Sequence, residues 1–482
     1  MDPFALFLTR LDFAWVTTFH FIYPPLTIGL SVLLFFAEWR WLHTGNEGWY
    51  RLVRFFGRLF IINFGAGVAT GVVLEMAFGI LYGPFSQAAG PYFGVVLGYE
   101  TITAFMYEAG FIGLMVFGWG KISRRMHLFA TFNVALSSTL SAFWIMNANS
   151  WMQTPTGVEL RDGIFHVTDW WAAIFNPNFL SGFPHMWVAA LELALFFVIG
   201  VCAWSVLKGR HVELFARPLK YALLAAVIIT PLQIYVGDVL GHAVGNTQPA
   251  ALAAMEGHYY THNADGSVNT TWNVLAWPND AEGRNDWALG IPHALSLIET
   301  WSLYGVVPGL DQFKPEDRPP VWVPFYSFRI MLAIGFFLFA VALWGGWLIA
   351  RGRMTLKAMA GNRWFLRVAV FSAFLPFLAI WTGWWVREVA RQPWLVTGMM
   401  RISEGVSQMS VAAAALWLAS FMAFELFVWF FTWYFLAKVI RQGPDMDTPV
   451  VAEGQEPLGY LEATPDEDES QPAYVRPYGG RP

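Results

Sequence analysis

The sequence predicts an all-α, polytopic membrane protein of about nine transmembrane helices. Three observations carry that prediction. Hydrophobic residues make up 56% of the 482 positions and charged residues only 13%, too few for the surface of a soluble chain of this length. The apolar residues gather into nine runs of about 20 or more, the length that spans a bilayer. Basic residues cluster after every second run, as the orientation of membrane helices demands.

The runs cover roughly 14–38, 55–80, 93–118, 128–150, 180–207, 219–241, 325–350, 366–386 and 411–438, and are numbered spans 1 to 9 here. Arg40, Arg51, Arg54 and Arg58 follow span 1. Lys121, Arg124 and Arg125 follow span 3, and Lys208, Arg210, Arg217 and Lys220 follow span 5. Arg351, Arg353, Lys357, Arg363 and Arg367 follow span 7, and Lys438 and Arg441 follow span 9. The alternation predicts an outside N-terminus and an inside C-terminus. The first residues lack a basic region before an apolar core and a small-residue cleavage site, so no cleaved signal peptide is expected.

Four regions follow: spans 1–6 over 1–240, an external connection over 241–324, spans 7–9 over 325–442, and a tail over 443–482. The connection is rich in aromatic and turn residues, which suits a folded flap. The tail holds nine Asp/Glu against two Arg with much Pro and Gly, and is expected to be disordered. Cys202 is the single cysteine, which excludes an intramolecular disulfide, covalent c-type haem and Cys-ligated clusters. It is expected to be a packing residue in span 5.

Ionisable residues inside spans are costly and mark pathways or cofactors. His20 lies near the outer side of span 1 and His185 opens span 5. A lone membrane His serves equally well to tie helices together. Glu100 and Glu108 on span 3 are eight residues apart, about 12 Å along a helix and about 80° around it. Stacked acids on one face suit a proton path; interhelical hydrogen bonds are the alternative. Ser141 and Asn149 repeat that spacing on span 4. Glu75 lies deep in span 2 behind the Gly-rich run "GAGVATGVV". Met331 follows Arg329 at the start of span 7; the arginine either snorkels to the interface or holds an anionic group. Glu388 and Arg391 close span 8. His20, Glu100, His185, Met331 and Glu388 all fall within a few turns of the outer surface on five spans, a pattern suited to axial ligands for more than one haem.

Six stretches then resemble subunit I of cytochrome bd-type quinol oxidases: "RLDFAWVTTFHF", "GVATGVVLEMAFG", "SWMQTP", "GDVLGH", "FRIM" and "GWWVREVARQPW". They occur in order over spans 1–9. Ala390 stands where Gly is usual in the last, and Ala251 where Lys is usual in the external connection. That connection is short, which resembles the cyanide-insensitive oxidase branch.

The resemblance implies three haems: a low-spin haem b held by His185 and Met331, and two high-spin haems, haem b and haem d or both haem b, at His20 and Glu388. It implies proton delivery and haem-pocket contacts for Glu100 and Glu108, haem-propionate pairing for Arg329 and Arg391, and a quinol-loop role for Glu256, with His258 beside it. It implies oxidation of quinol at the outer side and reduction of O2 to water, which generates a proton motive force without pumping. The expected setting is the bacterial inner membrane, with lipid, a second membrane subunit (subunit II) and room for a small single-span subunit; no nucleic-acid partner is expected. His/Met ligation closes an iron to oxygen, whereas a single His or carboxylate leaves a position open. Two other readings are an ion-coupled transporter, although no internal repeat is visible, and a haem-b electron relay without oxygen chemistry.

Overall fold

A computed structural model describes residues 1–447 and 450. Most of the acidic stretch expected to be disordered therefore lies outside the described residues. Among those described, nine helical segments are long and apolar enough to cross a membrane. They are Pro3–Thr44, Glu47–Leu81, Gly90–Phe117, Arg124–Gln153, Trp170–Leu207, Val212–Thr247, Trp322–Ala350, Arg363–Ala390 and Val411–Gln442. All nine expected spans are present, and most run a turn or more beyond their apolar windows, because polar and aromatic residues continue the helix into the interface.

Span 1 differs from the single rod that hydropathy implies. It consists of Pro3–His20 and Tyr23–Thr44, joined by a turn at Phe21 and Ile22. Pro24 and Pro25 supply no backbone N–H, so the ladder breaks just before them. His20 ends the first helix at that break. Span 3 is interrupted as well. Thr101–Met106 is a π-helical turn between the helices Gly90–Glu100 and Tyr107–Phe117. Such wide turns are rare and recur at functional sites.

Span 5 is the axis of the bundle. Its most apolar window is 83% buried, and it packs against spans 1, 4, 6 and 8. A helix apolar on every side is stable only when surrounded. Cys202 is fully buried in it, as a packing residue should be. Contact with span 1 depends on Gly29: a Cβ there would lie 2.2 Å from the Ala190 carbonyl oxygen and 2.4 Å from the Ala194 Cβ. Gly29→Val is expected to force these spans apart and cost about 3 kcal/mol or more, read as a lower melting temperature of the detergent-solubilised protein.

The segment between spans 6 and 7 is folded. It holds the helix Pro249–Glu256, an antiparallel hairpin of Trp272–Asn279 and Arg284–Ile291, and the short helix Ala294–Thr300. Strand residues such as Trp272, Val274 and Trp277 account for the hairpin in an otherwise helical chain. Span 6 continues to Thr247, past the end of its apolar run at 241.

Candidate functional site

The expected donor residues converge on two places that share span 8 as a wall. The first gathers spans 1, 2, 4 and 8. Phe21 stacks on Trp384 with ring centroids 4.3 Å apart, and Trp385 Nε1 donates to Thr18 Oγ1 at 3.0 Å, so the His20 helix is held against the Glu388 helix. His20 Nδ1 lies 3.0 Å from Thr70 Oγ1 of span 2, and the ring rests against Gly71, where a Cβ would come within 3.3 Å of Cε1. With Nδ1 engaged, Nε2 is the nitrogen left to face another group.

Glu388 is held from two sides. Asn149 Nδ2 donates to its Oε1 at 2.7 Å, and Arg391 donates to its Oε2 at 2.5 Å. Arg391 is 7% exposed and keeps Nε and Nη1 buried without a protein partner. Arg387, the neighbour of Glu388, donates to Asn149 Oδ1 at 2.5 Å and to Ser150 Oγ at 2.9 Å. The charges at the end of span 8 are thus tied to span 4 rather than free at an interface.

Span 4 carries a polar line along the same face. Ser138 Oγ donates to Glu108 at 2.6 Å, and Ser141 Oγ donates to Glu100 at 2.9 Å. Asn149, which holds Glu388, lies eight residues further on. The stretch from Ser138 to Asn149 rises about 16 Å. The π turn sits between Glu100 and Glu108 and lets both acids face span 4 despite the offset an ideal helix would give them. Glu75 lies within electrostatic reach of Glu100.

The second place gathers spans 5, 6, 7 and 8. His185 Nδ1 lies 3.3 Å from the Gln233 side-chain amide of span 6, and a Cβ at Gly237 would meet the His185 ring at 3.2 Å. The Gln233 oxygen is buried without a partner among the described residues. Turning that amide over lets Nδ1–H donate to the oxygen and leaves Nε2 with its lone pair. Met331 Sδ lies 3.0 Å from where a Cβ at Gly383 of span 8 would stand.

Arg329, two residues before Met331, reaches into the folded segment. Its Nε donates to the Asn273 carbonyl at 2.9 Å and its Nη2 to Glu256 Oε2 at 2.6 Å. It is sandwiched between Trp272 and Phe325, 4.9 and 4.6 Å from their ring centroids. Its Nη1 is buried without a protein partner. Glu256 is buried at the end of its helix, which Gly257 closes in the left-handed conformation at φ +61°. Burial pushes the Glu256 carboxyl above its ordinary range while Arg329 pulls it back. His258 is buried, its Nε2 is 3.0 Å from the Val307 carbonyl, and burial lowers its pKa. Ala251 is buried on the same helix, where a lysine would have to find a partner.

All nine site residues expected from the sequence therefore lie within these two linked regions. The pairing of Arg329 with Glu256, 73 positions apart, was not legible in the sequence, whereas Arg391 and Glu388 stand three positions apart on one helix, within pairing distance by spacing alone. The role of Thr70, Gln233, Asn149 and Arg387 in holding the donors was not legible either; the Asn149 spacing was the only signal. Asp12 and Glu425 were missed altogether. They are fully buried where the first helix meets span 9, and among the described residues no group donates to either carboxylate.

Against this geometry stand the comparisons. Residues 8–444 match the family described as cytochrome bd terminal oxidase subunit I. The chain is 33% identical over 428 residues to cytochrome bd ubiquinol oxidase subunit 1 of Bacillus subtilis, covering 87% of this chain and 89% of the relative. It is 30% identical over 504 residues to cytochrome bd-II ubiquinol oxidase subunit 1 of Escherichia coli, covering 91% and 96%. The solved bd oxidase of Geobacillus thermodenitrificans superposes with a TM-score of 0.83 at 28% identity, over 92% of this chain and all of that one. A family match over residues 8–444, with a relative 33% identical over most of both chains, means that the chain belongs to the cytochrome bd terminal oxidase subunit I family.

Proposed function

We propose that this chain is the haem-bearing subunit of a terminal quinol oxidase, which takes electrons from quinol at the folded segment 241–324 and delivers them to oxygen within the bundle. The observation that carries the reading is the shared wall of span 8, which puts Gly383 against Met331 and, five residues later, Glu388 beside span 4. Family membership implies haem and quinol, and it disfavours both a transporter and a relay that never meets oxygen.

The residues fit haem on observations independent of the family. His20, His185, Met331 and Glu388 are each only partly covered by protein although they lie between helices. Glycines lie against three of the four, where any side chain would intrude. Arg329 and Arg391 keep buried N–H groups with no partner, which a haem propionate would accept. His185 and Met331 would hold a low-spin haem b, His20 one high-spin haem and Glu388 the other. Glu388 already accepts two hydrogen bonds, but each carboxylate oxygen has a second lone pair. When bound, the His/Met haem supplies one-electron transfer and the high-spin haems supply an open iron position for O2.

The chain's own residues handle protons. Glu256 is the base that receives a proton as quinol gives up its electrons, with His258 behind it. Arg329 holds Glu256 in place and, through its position two residues from Met331, sets the quinol segment against the ligand it serves. Glu108 and Glu100, each bound to a serine of span 4, carry protons from the other side toward Asn149 and Glu388. Release outside and uptake from inside generate a proton motive force without a pump, given the N-out orientation that the basic loops imply. The apolar surfaces left exposed, such as Phe427, Phe430 and Tyr434 of span 9, face lipid or the second subunit.

Extraction of the purified two-subunit complex is expected to yield noncovalent haem, with one low-spin and two high-spin signatures in the reduced-minus-oxidised spectrum. A colourless complex defeats the reading.

A further inference from the structure

Quinol oxidation leaves two protons on the protein side, and Glu256 alone cannot dispose of them. Its carboxyl is buried and already paired with Arg329, so a proton it receives must move on before the next turnover. Three side chains outside the haem-bearing set lead away from it. Glu299 lies in the last turn of the short helix Ala294–Thr300, within electrostatic reach of Glu256 and of Asp238. Its Oε2 lies 4.0 Å from His242 Nδ1, and His242 Nε2 lies 3.7 Å from Asp238 Oδ2 on span 6. These separations suit a bridging water or a small rotation rather than a direct hydrogen bond. Side-chain exposure climbs along the series: 5% at Glu256, 10% at Glu299, 24% at His242 and 43% at Asp238.

The local backbone is arranged to bring Glu299 there. Its helix is bracketed by His293 at φ +63° and Trp301 at φ +55°, both non-glycine residues in the left-handed region. Strained residues of this kind persist where the surrounding structure needs them. Gly245 leaves the span 6 backbone open to Glu299, since a Cβ there would come within 3.1 Å of its Oε2. Trp301 stacks on His242 with centroids 6.0 Å apart at 18° and covers the imidazole from outside. His242 Nε2 is buried and makes no hydrogen bond among the described residues.

We propose that Glu299 and His242 form a proton-exit relay, which takes the quinol proton from Glu256 and passes it to Asp238 and the water outside. The proposal rests on the reading of Glu256 as the quinol base. Each transfer moves one proton from a carboxyl or imidazolium to the next lone pair. The electrons leave separately toward oxygen, so no further reactant is needed. The titratable groups facing Glu299 are Glu256, Asp238 and His242. Burial and the two neighbouring acids push the Glu299 carboxyl up to about 7, where it can both take and give a proton near neutrality.

The test is the pH profile of quinol-driven oxygen consumption by the intact complex carrying Glu299→Gln. The kcat is expected to fall about 10²-fold at pH 7 and the inflection near neutrality to vanish. KM for quinol, the haem spectrum and oxygen consumption driven by a soluble one-electron reductant stay as in wild type, and Glu299→Asp restores part of the rate. His242→Gln carries the same expectation and decides the matter if E299Q loses haem. Wild-type rate and an unchanged pH profile in both variants overturn the relay. Glu256→Gln serves as the control: if it is crippled while E299Q and H242Q are not, the relay alone fails. If E256Q itself oxidises quinol normally, the underlying reading fails with it.

Discussion

His185→Ala is expected to remove the low-spin haem spectrum and quinol oxidation together, with quinol-driven turnover falling by about 10²-fold or more. The imidazole is set by Gln233 at 3.3 Å and by the glycine face of span 6. On the proposed assignment Met331 alone would be a weak ligand, and loss of the imidazole would change the spin state of the haem they hold, which the optical spectrum reports directly. Gln233→Leu keeps the ligand but removes its orienting partner, and a milder loss of haem affinity, about 10-fold, is expected. Retention of the low-spin band and of quinol oxidation in His185→Ala would place the ligand elsewhere and undo the assignment.

His20→Ala is expected to separate the two halves of the reaction. Carbon monoxide binding and oxygen reduction are lost, while the low-spin haem proposed at His185 and Met331 is still reduced by quinol. The physical reason is the division of the bundle. His20 sits at the break in span 1 against Thr70 and Gly71 of span 2, whereas His185 of span 5 lies against Gln233 and Gly237 of span 6, and Met331 of span 7 against Gly383 of span 8. A side-chain deletion in one region leaves the other's packing intact, so the effects should be additive rather than global. A variant that reduces oxygen at the wild-type rate with an unchanged carbon monoxide spectrum would remove His20 from the oxygen site.

Much of the arrangement is written locally in the chain. The nine spans follow from hydropathy because each residue's transfer free energy into lipid depends little on its neighbours. The break at His20 was equally present in the Pro24-Pro25 pair, yet a window of apolar residues averages over it. The π turn after Glu100 left no readable mark, because its extra residue is accommodated by packing against span 4. The hairpin at Trp272–Ile291 was foreshadowed only as a folded, aromatic-rich segment.

The sequence by itself determined that the chain crosses a membrane nine times and carries His20, His185, Met331 and Glu388 among apolar helices. It also determined that six ordered stretches resemble one oxidase family. Only the tertiary structure decided that Arg329 grips Glu256, that Asn149 of span 4 reaches Glu388, that span 8 walls both sites, and that Glu299 lies beside His242. Those pairings join residues up to 239 positions apart, as Asn149 and Glu388 are. Hydropathy is a property of single residues read in order, whereas a hydrogen bond is a property of two groups brought within about 3 Å, and only the packing of the helices brings them there.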